Sequence, residues 1–197
     1  MRIARFTQSI GGLLLLLGLS VLPASAESAK DLLGVPGPVN FQDTRFDLAW
    51  SANPAAGYFK QEYLSAGQKL ESYDQMFIVE ASTSATPEGA AAAKIDMLKK
   101  RKATDPMVNY AVIRNDATGE IILDFILSDD GGPTLIVEWN AYRYARLNKD
   151  GGVALYEISR RAYGDDADAF LRGLKQSRPS AIEALAKFDT PALKPSP

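Results

Sequence analysis

The sequence contains no cysteine and no histidine. Without cysteine there is no disulfide and no thiol nucleophile. Without histidine there is no imidazole base, and the two absences together remove the common zinc sites and the Ser-His-Asp arrangement. A surplus of positive charge is also missing: 22 Lys and Arg stand against 24 Asp and Glu. Arg2 and Arg5 fall in the first few residues, which hold no acid, so the remainder is more acidic still. A nucleic-acid partner is not expected from that balance. No cofactor, no metal and no catalytic residue is assigned, and the chemistry left to the chain is that of its carboxylates, lysines and tyrosines.

Only one long apolar run is present. Arg2 and Arg5 precede Ile10 to Leu22, in which Leu13 to Leu17 is unbroken, and Ala24-Ser25-Ala26 follows. This is the pattern of a signal peptide, residues 1–26, cleaved after Ala26. The apolar run is short of the ~20 residues that span a bilayer, and no cysteine follows it to carry a lipid. A periplasmic or secreted protein, with no stable membrane insertion after cleavage, is expected. Residues 27–43, with Pro36-Gly37-Pro38, read as a flexible N-terminal arm, and residues 190–197 read as a disordered, proline-rich tail.

Between them, residues 44–189 read as one domain. Thr44–Trp50, Tyr58–Leu64 and Gln75–Thr83 have strand composition, and Leu70–Tyr73 reads as a single helical turn. Thr86-Pro87-Glu88 opens a helix, with the hydroxyl as N-cap, proline in the first turn and an acid at the positive end of the dipole. Its stripe is Ala91, Ala92, Ile95 and Leu98, and it runs to about Ala103. Lys99, Lys100, Arg101 and Lys102 suit a solvated C-terminal end better than a polyanion patch.

The centre of the chain is a run of four strands at period two: Met107–Arg114, Glu120–Ser128, Thr134–Leu147 and Val153–Tyr163. The loops between them are rich in Asn, Asp and Gly. Pairing Ser128 with Thr134 sets Ile121, Leu123, Phe125 and Leu127 beside Leu135, Val137, Trp139 and Ala141 on one core face. Ile122, Asp124, Ile126, Glu138, Asn140, Tyr142 and Tyr144 then share the other face. A helix capped by Asp165 or Asp166 follows, with Phe170, Leu171 and Leu174 apolar, and it ends at Arg178-Pro179. Ser180-Ala-Ile-Glu183 matches a capping box for a last short helix carrying Ile182, Leu185 and Phe188. No internal repeat is present.

Asp129-Asp130 and Asp165-Asp166-Ala167-Asp168 are explained by turn and cap chemistry, without the spacing of a calcium loop. In the pairing above Asp124 and Glu138 lie opposite each other, the arrangement of an acid/base pair unless Arg146 or Arg160 neutralises it. Tyr142, Tyr144 and Tyr156, with Asn140 and with Trp139 or Trp50 nearby, are candidates to line a ligand or peptide groove.

The fold class is α+β: a single antiparallel sheet, β-β-β-α-β-β-β-β-α, with helices packed on it. That order from Thr44 to Phe188 resembles the PsbP/Mog1-like fold. The segment Tyr63-Leu-Ser-Ala-Gly67-Gln-Lys-Leu70-Glu-Ser-Tyr73 is similar to a stretch in uncharacterised secreted bacterial proteins. The resemblance implies a small binding, adaptor or chaperone-like module, and it carries over no functional residue. The expectation is a non-enzymatic envelope protein that binds another envelope protein or a small apolar ligand. The alternatives are an inhibitor or immunity-type protein against a toxin or hydrolase, and a hydrolase using Asp124 and Glu138.

Overall fold

The computed structural model describes residues 29–196, so the leader expected at residues 1–26 lies outside the described residues. The first half of the domain is a meander of β1 (Val39–Phe41), β2 (Thr44–Ala55), β3 (Tyr58–Leu64) and β4 (Gln75–Ser82). Helix α1 (Pro87–Arg101) then carries the chain across the sheet to its far edge. There β5 (Asn109–Asn115), β6 (Glu120–Asp129), β7 (Ile136–Asn148) and β8 (Gly151–Tyr163) return towards the middle, and helix α2 (Ala167–Lys187) follows a short 3-10 turn. All pairings are antiparallel, in the order β1-β2-β3-β4-β8-β7-β6-β5. β8 closes the sheet against β4, so the last strand sits between the two meanders. The start of β8 is tight against β4: Gly152 has φ +80°, and a Cβ there would stand 2.8 Å from the Ser82 carbonyl oxygen, which leaves room for glycine alone.

The α+β class holds, with one strand more than expected. Residues 29–43 are no loose arm: Leu32, Leu33 and Phe41 are buried, and β1 pairs with β2. Gln61, buried on β3, accepts the backbone N–H of Leu32 and Leu33 and donates to the Val35 carbonyl. The tail is equally fixed, since Lys194 and Ser196 donate their N–H groups to the carbonyls of Leu33 and Leu32 at 2.7 and 2.8 Å. Arm and tail thus satisfy each other's backbone polar groups.

The sheet is covered on both faces over its central strands. On one side α2 and the arm cover Phe46, Tyr63, Phe77, Trp139, Ala141 and Ile158. On the other, α1 covers Ile121, Leu123, Phe125 and Tyr144 with Ala91 and Leu98. Both faces being buried explains the near-continuous apolar runs of β6 and β8.

Several local expectations are corrected. Ser128 pairs with Val137, not Thr134, a slip of three residues along β7. An odd slip exchanges the faces of one strand relative to its neighbour. Leu123 and Phe125 therefore share a side with Tyr142 and Tyr144, and Trp139 and Ala141 share the opposite side with Asp124. Leu135, expected in the core, is exposed. In β2 a bulge between Leu48 and Trp50 breaks the alternation, so Trp50 leaves the Phe46 face and is exposed. Ala92 of the expected α1 stripe is also exposed, and Leu70–Tyr73 is an irregular turn. Pro179 does not end a helix: α2 runs through it. Leu174 before the proline and Ala181 and Leu185 after it bury on one core, and this packing outweighs the lost backbone bond. Asp166 occupies the N-cap of α2 without a side-chain capping bond, behind the 3-10 turn Gly164–Asp166.

Candidate functional site

The sequence-predicted carboxylates are separated by the register. Asp124 opposes Ala141 and Glu138 opposes Leu127, on different faces of the sheet. Asp124 is buried and receives the Trp139 indole N–H at 2.7 Å; Arg178 of α2 donates to both of its oxygens, with its Nε at 2.8 and 2.9 Å. Glu138 accepts from Arg161 and from the Asn140 amide at 2.8 Å. No acid/base pair is assembled, and each carboxylate is held by an arginine of its own. Tyr156 also leaves the expected cluster: it lies on the α2 face, packs on Phe188 and donates its hydroxyl to the Pro191 carbonyl at 2.7 Å. Burial pushes that hydroxyl up to about 12.

Tyr142 and Tyr144 do come together, beneath α1. They line an open groove of about 570 Å³ between α1 and strands β3, β4, β7 and β8. The helix that roofs it starts where the sequence says it should: Thr86 accepts the Gly89 N–H at 3.1 Å as N-cap, and Pro87 occupies the first turn. Ala90, Ala93 and Met97 of α1 form the apolar wall, with Val153 and Leu155 of β8 opposite. Small side chains at 90 and 93 leave the space between helix and sheet unfilled and hold the groove open.

Polar groups converge on this apolar space. Tyr58 donates to Glu80 at 2.8 Å. Lys60 stands 2.8 Å from Glu62 and 3.7 Å from Glu80. Burial disfavours the charged Lys60, but Glu62 and Glu80 outweigh it and raise its pKa. Lys94 reaches down from α1 with its ammonium 4.7 Å from the centre of the Tyr142 ring, 5.2 Å from that of Phe125 and 3.4 Å from the Tyr142 hydroxyl. Tyr142 is fixed edge-on to Phe125, centroids 4.9 Å apart at 75°.

The residue that stands out is Glu157 on β8. It opposes Tyr142 on β7 and Ile78 on β4, and alternation puts it on the groove side with Val153 and Leu155. It is 1% exposed, and among the described residues neither carboxyl oxygen has a hydrogen-bond partner of acceptable geometry. Burial drives its pKa well above the usual carboxylate range, and the charge of Glu80 adds to this; Lys94, Lys60 and the Tyr142 hydroxyl oppose it without cancelling it. Burial first, and the Glu157 charge second, likewise push the Tyr142 and Tyr144 hydroxyls up.

Asn140, two residues before Tyr142 on β7, is buried with its Oδ1 unsatisfied. It belongs with Glu138, Arg161 and Tyr73, where the Arg161 guanidinium lies 4.2 Å from the centre of the Tyr73 ring. Among the described residues no group of three or more His, Cys, Asp or Glu could hold a metal ion, and no helix is long and apolar enough to cross a membrane.

Sequence reasoning missed Glu157, Lys94, Lys60, Glu80 and Tyr58. One signal is readable: Glu157 is the lone charge in the run Val153 to Ser159, and a strand that apolar buries its one acid on whichever face that acid occupies. No curated protein and no solved structure matches the chain. A protein-family model matches residues 33–190, more than half of the chain and nearly all of the packed domain, and the chain belongs to that family.

Proposed function

We propose that this is an exported, non-enzymatic binding protein that takes a small ligand into the groove between α1 and the sheet. The α+β architecture with its PsbP/Mog1-like element order would serve as the rigid frame. The observation that carries the reading is the groove itself: about 570 Å³ of apolar and aromatic wall with a few converging polar groups, which is the composition of a ligand pocket. A concave site walled by a helix favours a small molecule over a flat protein partner. Asp124 and Glu138, the two carboxylates expected to serve a hydrolase, are apart and each is paired with an arginine, which favours binding over bond cleavage by that pair.

The test is a groove-filling substitution. Nile red, an uncharged apolar dye, should gain fluorescence with the wild-type protein and lose that gain with Ala93→Trp, whose indole occupies the groove. Thermal unfolding of the variant checks that it folds. Dye binding that ignores Ala93→Trp, or no binding by the wild type, overturns the reading.

A further inference from the structure

The two edges of the sheet differ. At one edge β1 has three residues, and β2 beyond it carries two register shifts and Pro54. Short strands, bulges and proline are the devices that keep a sheet edge from pairing with another chain. The other edge is β5, which runs seven residues against β6 without a shift and contains no proline and no lysine. Where β6 extends past β5 its backbone is capped by side chains: Asp105 accepts the Ser128 N–H at 2.7 Å, and Arg101 donates to the Ser128 carbonyl. Among the described residues no side chain caps the backbone of Asn109 to Arg114 in that way. Val112 and Ile113, neighbours on opposite faces of this strand, are both exposed.

We infer that β5 pairs with the β5 of a second copy of this chain, antiparallel and centred on Val112, so that two eight-stranded sheets become one. The residues themselves point to a second copy. Read from Val112 outward, Asn109-Tyr-Ala-Val112-Ile-Arg-Asn115 is nearly the same in both directions. Val112 faces its own copy, Ala111 faces Ile113, Tyr110 faces Arg114 and Asn109 faces Asn115. All seven residues find a counterpart, which any other centre forfeits. No like charges meet, because Arg114 is the one charge in the strand and lies across from a tyrosine ring. About six to eight backbone hydrogen bonds would form along the pair.

The side chains continue rows that already exist. Leu123 pairs with Val112, so Leu123, Val112 and their two symmetry mates form one apolar row on the α1 side. On the α2 side Asp124 pairs with Ala111, so Ile113 of the second copy falls at the end of that row. It reaches the rim of the open space beside Ile113, Leu174, Pro179 and Ile182. The ends of the strand also suit a copy turned end for end. Lys100 and Lys102, exposed and without an ion pair among the described residues, precede β5, and Asp116, likewise exposed and unpaired, follows it. The register carries Asp116 of each copy to Val108 of the other, at the lysine end. Asp129 and Asp130 lie one strand further in, on the β6–β7 loop. A parallel partner would instead lay the two lysine ends together.

The experiment is sedimentation velocity from about 1 μM to about 1 mM protein, the range of weak specific association, with cysteine cross-linking to read the register. The wild type should pass from monomer to dimer across the series. Val112→Lys sets two ammonium groups face to face at the axis and should stay monomeric, with its circular dichroism unchanged because the site is exposed. In a chain without cysteine, Val112→Cys should oxidise to a disulfide-linked dimer at least about tenfold faster than Arg114→Cys. Opposed residues lie about 5 Å apart between Cβ atoms, whereas two copies of position 114 would be about 14 Å apart. The cross-linking comparison stands even if Val112→Lys fails to fold. A wild type still monomeric at the top of the series overturns the inference and leaves the edge to a strand of another protein. A dimer that persists in a folded Val112→Lys, or equal cross-linking from the two cysteine variants, overturns it as well.

Discussion

Two carboxylates, both nearly fully buried on adjoining parts of one sheet, have opposite surroundings. Asp124, on the α2 face, is enclosed by the Trp139 indole N–H and the forked Arg178 guanidinium. Glu157, on the α1 face, has no hydrogen-bond partner of acceptable geometry among the described residues. The faces around them differ in the same way. Under α2 large side chains interlock, with Phe77 5.5 Å from Phe41, 5.3 Å from Phe188 and 6.1 Å from Phe46 between ring centres. Under α1 the helix presents alanines, and a groove remains. Open space of about 570 Å³ lies on each side, under α1 beside Tyr142 and at α2 beside Asp124, Arg178 and Ile182, so the difference lies in how the buried acids are held: Asp124 by fixed donors, Glu157 without them.

The largest effect that would break this comparison is in packing. Phe77→Ala should cost about 4 kcal/mol, because it empties a sealed site. Met97→Ala, on the exposed wall of the groove, should cost less than about 1 kcal/mol. Urea unfolding measures both, and equal costs would mean that the two faces are packed alike. Next come the acids themselves. Asp124→Ala should cost about 3 kcal/mol by stranding Arg178 and the Trp139 indole.

Glu157→Gln should behave in the opposite sense, and it is separated by pH. The folded state holds the Glu157 proton more tightly than the unfolded chain, whose glutamate titrates near its ordinary value of about 4.3. Native stability from this residue is therefore fully present below that value and declines as pH rises towards the raised folded-state value. The glutamine variant lacks this decline, so its advantage over wild type should grow from mildly acidic to alkaline pH. A constant difference across that range would show that Glu157 is not held protonated.

Much of the fold is legible in the residues. Tyr58–Leu64 is a strand with those bounds, the Thr86-Pro87-Glu88 cap opens α1, and the Gly- and Asp-rich turns separate β5 to β8. These are local signals, written in the residues that make them. What fails depends on distant partners. The register of β6 on β7 slips by three because the Asp129–Pro133 loop does not close as a tight hairpin, and alternation alone cannot say which face an alternating strand shows its neighbour. That slip assembles a false pair from Asp124 and Glu138. Pro179 reads as a stop because local propensity knows nothing of the core on which both halves of α2 pack. Tyr142 and Tyr144 fall together, since two residues apart on one strand they must share a face. Lys60, Glu80 and Lys94 reach Glu157 from three other elements, and only the tertiary arrangement joins them.

The most direct test of the central claim, that the groove under α1 rather than the α2 side takes the ligand, is NMR mapping of Nile red on the intact protein. Shifts are expected at Lys60, Lys94, Tyr142 and Glu157, with the Trp139 indole N–H unmoved behind Asp124. A shifted Trp139 indole with an unperturbed α1 face, or no shifts anywhere at saturating dye, would contradict the claim.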